Sequence, residues 1–223
     1  MENKSIVYSR KDNSMHIMEK LYTDYIIKHI INIIARTPVT PNMVTMFNML
    51  LSFYTLYLAY NKHFIAVAIF IQVYTFLDNL DGILARYKNM KSKLGAELDV
   101  ISDTIFYNGI FILVGVRLVN VYWIISLVLI FNFYGVVATY YIVPRLKKLR
   151  SIKRGNIKQF FLDCGYIVGM NTDTAGIIMF IFLLIGKIKL MYIIIISLFI
   201  FDMIYRMIEL KYNEVLDKNY FVV

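Results

Sequence analysis

Leu77-Asp78-Asn79-Leu80-Asp81-Gly82-Ile83-Leu84-Ala85-Arg86 closes one long apolar run, and Gly95-Ala96-Glu97-Leu98-Asp99-Val100-Ile101-Ser102-Asp103 opens the next. The two pieces place four carboxylates at membrane depth, where a charge is costly unless it is paired or bound to metal. Asp78 and Asp81 are three residues apart and Asp99 and Asp103 four apart, so each pair shares one helix face. The short connection between the runs makes them antiparallel, which lets all four carboxylates meet at one depth. With no His or Cys among them, they form a hard-oxygen set suited to Mg²⁺ or Mn²⁺, with Ca²⁺ as a substitute or inhibitor. Four negative charges can hold two ions side by side, an arrangement that clamps a phosphate during in-line displacement.

Outward from this centre, apolar segments of spanning length follow one another at 43–60, 64–85, 96–116, 119–143, 174–186 and 190–208. A helix needs roughly 17–25 residues to cross the hydrocarbon core, so the fifth segment is short. The connections at 61–63, 117–118 and 187–189 force antiparallel hairpins. Upstream, His16 to Ala35 carries apolar residues at helical spacing (Ile17, Leu21, Tyr25, Ile26, Ile30) interrupted by Glu19, Lys20, Asp24 and Lys28, the pattern of an amphipathic helix lying on a membrane surface. Pro38 and Pro41 end it, and Thr40 or Asn42 can cap the helix that follows. The expected fold is all-α and integral to the membrane: six transmembrane helices preceded by an amphipathic interfacial N-terminal helix. The expected organisation is a cytoplasmic N-terminal segment over 1–36, a membrane domain over 37–208 and a cytoplasmic tail over 209–223.

Basic residues set the orientation. Twenty of the 24 Lys and Arg fall on the side that holds the N terminus, leaving Lys62, Arg117, Lys187 and Lys189 on the other. The positive-inside rule places the N-terminal side, and with it the aspartates, in the cytoplasm. The loop over 144–172 holds much of this charge and is expected to anchor on acidic headgroups.

Composition agrees with a membrane chain. Its 223 residues are 59% hydrophobic and 17% charged, with a mean hydropathy of +0.62, against about 45–50% apolar residues in soluble domains. The net charge of +9 would also suit nucleic acid, but no recognition module is present and the charges follow the topology, so no nucleic-acid partner is expected. A single cysteine, Cys164, excludes a disulfide framework and a thiolate metal site and reads as buried filler. His16, His29 and His63 have no ligand spacing.

The pattern Asp78-x-x-Asp81-Gly82-x-x-Ala85-Arg86, eight residues, Gly95-x-x-x-Asp99-x-x-x-Asp103 resembles, at every fixed position, the signature of the CDP-alcohol phosphotransferase family. The resemblance implies transfer of a substituted phosphate group from a CDP-linked donor to an alcohol acceptor, with release of CMP, in phospholipid biosynthesis. It implies that Asp78, Asp81 and Asp99 ligate metal, and that Asp103 is the base for the acceptor hydroxyl and also touches the second ion. Gly82, Ala85 and Gly95 would make room for the cytidine, and Arg86 would contact the donor diphosphate. Pro41-Asn42-x-x-Thr45 looks like a segment other members carry, which would put Asn42 at the border of the nucleotide pocket. On the residues alone, Gly82 and Gly95 also fit tight helix packing, and Arg86 also fits snorkelling to headgroups.

The resemblance leaves two branches open. One uses CDP-diacylglycerol and a small polar acceptor; the other uses CDP-choline or CDP-ethanolamine and a lipid acceptor. Bacterial-sized members favour the first, in a bacterial cytoplasmic membrane. A phosphorylated acceptor would need cations beside the metals; Arg145, Lys148, Arg154, Lys158 and Arg206 are available on that side, with Arg154 and Arg206 as the candidates. A homodimer is also implied. Intramembrane prenyltransferases also bind diphosphates through Asp-rich helices, but with two separated motifs where this chain has one. A transporter or scaffold would leave the Gly82, Ala85, Arg86 and Gly95 spacing without a purpose. Asp202, alone in the last segment, is expected to pair with Arg206 one turn on.

Overall fold

The computed structural model of the protein describes residues 14–149 and 151–219. The N-terminal residues with Lys4, Arg10 and Lys11 and the residue Arg150, all used in the charge reading, lie outside the described residues, as does the end of the tail. Helix α1 runs over 17–35, interrupted by one wide turn at Thr23–Ile27. It is followed by α2 (Pro41–Tyr60), α3 (Phe64–Tyr87), α4 (Lys93–Gly115), α5 (Val121–Leu146), α6 (Asn156–Asp163), α7 (Thr172–Leu184) and α8 (Ile188–Asn219). The extended structure among the described residues is one parallel bridge between β1 (Met15–His16) and β2 (Tyr166–Ile167).

Helices α2, α3, α4, α5 and α8 are long and apolar enough to cross a membrane. Helix α7 occupies the fifth expected segment but has only 13 residues, about 20 Å at 1.5 Å per residue, against a hydrocarbon core of about 30 Å. The last helix passes the expected boundary at 208 and continues to Asn219. Large apolar side chains point outward all round the bundle, among them Leu50, Tyr57, Leu129, Phe133 and Phe201. A surface this apolar is stable only against lipid.

Local signals account for the helix ends. Thr40 takes the cap of α2, its hydroxyl accepting from Met43 N at 3.3 Å, with Pro41 in the first turn where its missing N–H costs nothing. Ser92 caps α4 by accepting from Gly95 N at 2.9 Å. At the far end of α4, the Lys62 ammonium donates to Leu113 O at 2.7 Å and Val116 O at 2.8 Å, joining the α2–α3 turn to the terminal carbonyls of α4.

The main core lies where α3, α4, α5, α7 and α8 meet around Tyr74, Phe106, Tyr107, Phe111 and Phe199. A second core forms where α1 crosses the C-terminal end of α3. There Ile27 and Ile31, fully buried, pack on Leu80, Ile83 and Leu84, with Val44 of α2 beside them. Polar ties fix the same crossing. Tyr22 donates to Gln72 Oε1 at 3.1 Å and Gln72 Nε2 to Gly176 O at 3.1 Å. Burial, with the Asp173 charge added, pushes the Tyr22 phenol up to about 12, so it stays a donor at neutral pH. Lys88 donates to Thr37 O and Val39 O, which pins the proline-bearing turn to the end of α3.

Cys164 departs from its expected place: it is exposed. The long basic loop contains α6, and Cys164 caps the end of that short amphipathic helix, where its carbonyl accepts from Lys20 Nζ at 3.0 Å.

Candidate active site

Helices α3 and α4 bring Asp78, Asp81 and Asp99 together, with one carboxylate oxygen from each lying within 4.8 Å of the others. Asp81 is buried, and its Oδ2 accepts from Thr45 Oγ1 of α2 at 2.5 Å. This cluster is all oxygen and all negative. Such a set is unfavourable at this depth without a cation, and its chemistry fits a hard divalent ion.

Asp103 stands one turn deeper on α4 and outside that trio. Its Oδ1 accepts from Tyr74 OH at 3.0 Å, and the same hydroxyl lies 2.9 Å from Ser102 Oγ. Tyr74 is fully buried and stacked on Phe106 at 3.8 Å between ring centroids. A rigid aromatic therefore sets the direction of the carboxylate.

A cavity of about 290 Å³ opens beside the trio. It is lined by Asn42 and Thr45 of α2, by Asp81, Gly82, Ala85 and Arg86 of α3, and by Gly95 and Asp99 of α4. The two glycines serve it differently. A Cβ at Gly82 would meet nothing within 4 Å, so this glycine borders open space and not a packed helix. A Cβ at Gly95 would lie 2.9 Å from Asn42 Oδ1, so this one admits the Asn42 carboxamide. Arg86 lines the cavity and reaches Glu19 of α1, with Nη2 3.6 Å from Oε1.

Other hollows lack this chemistry. An apolar one of about 620 Å³ between α5 and α8 has Lys211 as its single charged lining residue, and another at the opposite end of the bundle has Lys62. Neither contains a carboxylate.

The two residues expected to meet the acceptor do not line the cavity. Arg206 is engaged by Asp202, Nε donating to Oδ2 at 2.6 Å, so the expected pairing of these two is present. Tyr134 donates to the same Asp202 oxygen at 2.5 Å. Arg154 lies half-buried in the loop before α6. Its neighbours in the basic loop are matched by acids of α8: Lys158 with Glu209 at 2.6 Å and Arg145 with Glu214 at 3.5 Å. Part of the loop's charge is thus taken up inside the protein.

Tyr74, Ser102 and Glu19 carried no signal in the sequence. Tyr74 reads as a core aromatic, and Glu19 as one more interruption of an amphipathic helix. Thr45 was visible only as part of the Pro41-Asn42-x-x-Thr45 stretch.

The sequence from residue 38 to 204 matches the family model of the CDP-alcohol phosphatidyltransferases, three quarters of the chain. The chain belongs to the CDP-alcohol phosphatidyltransferase family, a family of membrane transferases, and is an integral membrane protein. The fold resembles the crystal structure of a phosphatidylinositol phosphate synthase from Mycobacterium tuberculosis with CDP-DAG bound. That likeness has a TM-score of 0.54 at 16% identity and covers 87% of this chain and 93% of that one. An uncharacterized protein of Aquifex aeolicus (strain VF5) is 29% identical over 84 residues, 38% of this chain; the match spans less than half, 43%, of that relative's length.

Proposed function

We propose that the protein transfers a substituted phosphate group from a CDP-linked donor, CDP-diacylglycerol in the favoured form, to an alcohol, releasing CMP. The observation that carries this reading is the carboxylate trio of Asp78, Asp81 and Asp99 beside a cavity lined by Gly82, Ala85, Arg86 and Gly95. The cavity lies near the lower end of the roughly 300–1,000 Å³ range of ligand sites, enough for the nucleotide head of a donor whose lipid part stays in the bilayer.

Asp78, Asp81 and Asp99 would hold Mg²⁺ or Mn²⁺, as two ions, with Asp103 able to join as a further ligand. When bound, the metal offsets the charge that builds on the diphosphate oxygens as CMP leaves. The chain's own residues do the rest. Thr45 fixes the Asp81 carboxylate. Gly82, Ala85, Gly95 and Asn42 shape the space for the cytidine, and Arg86 offers a planar pair of donors to the diphosphate. Asp103, aimed by Tyr74, takes the proton from the acceptor hydroxyl. The acceptor oxygen then bonds to the distal phosphorus, and the bond from that phosphorus to the bridging oxygen breaks. The bridging oxygen leaves as part of CMP.

The active site would face the cytoplasm of a bacterial cell, and six membrane passages would include the short α7. Arg154 and Arg206 are the acceptor-side candidates; Arg206 would have to share its guanidinium between Asp202 and an acceptor phosphate. A homodimer is part of this reading. The test is metal-dependent CMP release from CDP-diacylglycerol with polar acceptors. It is run beside CDP-choline and CDP-ethanolamine with diacylglycerol, the pairs required by the alternative branch.

A further inference from the structure

Glu19 is a buried carboxylate on a helix that has several other ties to the bundle. Helix α1 is seated by Ile27 and Ile31, by the Tyr22–Gln72 hydrogen bond, by the Lys20 ammonium on Cys164 O and 4.1 Å over the Tyr166 ring, and by the bridge of Met15 to Tyr166. These ties fix Glu19 from both sides along the chain. Its side chain is 7% exposed and lies 3.6 Å from Arg86, which is 21% exposed and lines the cavity.

Arg86 stands about a turn and a half beyond Asp81 on α3. A guanidinium there is drawn toward the Asp81 and Asp99 carboxylates of the same cavity, where it would neutralise the charge that a divalent ion needs. Glu19 approaches from α1, an element that contributes nothing to the trio.

We propose that Glu19 is a positioning residue: it holds Arg86 against the α1 side of the cavity, available to the donor diphosphate and withheld from the metal-binding carboxylates. This rests on the function proposed above. Helix α1 is then part of the working site and not only a surface anchor, and its docking is coupled to metal and donor binding through one ion pair.

The experiment is a double-mutant cycle on the full-length protein in detergent, with Glu19→Gln, Arg86→Gln and the pair, plus Glu19→Asp. Two readouts are taken: binding of CDP as a function of Mg²⁺, and donor KM and kcat for CMP release. Glu19→Gln is expected to raise both the half-saturating Mg²⁺ and the donor KM by about tenfold, with kcat changed much less. Glu19→Asp is expected to recover part of the loss. In the Arg86→Gln background, Glu19→Gln is expected to have no further effect, because no guanidinium remains to be directed. Unchanged Mg²⁺ and donor dependence in a folded Glu19→Gln protein would overturn the proposal, as would effects that multiply in the pair. If the unsubstituted protein bound no CDP with Mg²⁺ and released no CMP, the proposed function itself would fail, and this inference with it.

Discussion

A methyl group added at Gly82 would enter open space, while one at Gly95 would press on the Asn42 carboxamide. Gly82→Leu is therefore expected to leave folding intact, since removing an interior helix glycine gains up to about 1 kcal/mol. It should still cost more than tenfold, about 1.4 kcal/mol, in CDP affinity by filling the cavity. Thermal unfolding and CDP titration of the same sample check both halves. The acids separate in a similar way. Asp81→Asn should abolish turnover and weaken metal-dependent CDP binding, whereas Asp103→Asn should abolish turnover with donor binding largely kept. Tyr74→Phe removes the hydroxyl that aims Asp103. The expected result is a fall in kcat of about tenfold with donor KM unchanged, seen in steady-state kinetics. The aspartates were legible because α-helical periodicity turns their spacing into one face on each of two adjacent helices, whereas Gly82, Ala85, Arg86 and Gly95 were singled out by the family resemblance. Tyr74 and Glu19 were not legible. Their roles depend on which helix crosses which, and an aromatic or an acid at a helical position reads the same in many packings.

Lys62 shows how one element depends on another. Its ammonium caps the terminal carbonyls of α4 from the α2–α3 turn. Lys62→Met should cost about 1–2 kcal/mol, read as a lowered Tm, with donor and acceptor KM unchanged because the turn lies at the end of the bundle away from the aspartates. Most helix limits could be read from the sequence because caps and apolar length mark them: Thr40 before α2, the turn at 61–63, and the basic stretch after α3. Three features could not. Helix α6 is short and sits in a run of charges, so it reads as loop. Helix α8 extends beyond its apolar segment because Lys158 and Asn213 tie the basic loop along its polar end. Cys164, taken as filler from residue type alone, is exposed because it ends α6.

For the whole molecule, the charge asymmetry predicts sidedness that the native cysteine can report. Cys164 is exposed at the end of α6, on the side assigned to the cytoplasm. A membrane-impermeant maleimide should label it in inside-out vesicles and not in right-side-out ones. In a Cys164→Ser background, Lys187→Cys, exposed in the turn between α7 and α8, should show the opposite pattern. Labelling of both positions from the same side would contradict an odd number of passages between them, and with it the crossing by α7. The five long apolar helices were legible because apolar length and the short connections at 61–63 and 117–118 mark them. The status of α7 was not, since a 13-residue helix suits either a thinned crossing or a buried half-helix. The central claim is chemical, and its most direct test is CMP release by the purified protein with Mg²⁺ or Mn²⁺, CDP-diacylglycerol and a pool of polar acceptors. The account predicts release that needs both metal and acceptor and is lost with EDTA and in Asp81→Asn. Release at the same rate from Asp81→Asn and Asp103→Asn, or release indifferent to EDTA, would contradict it.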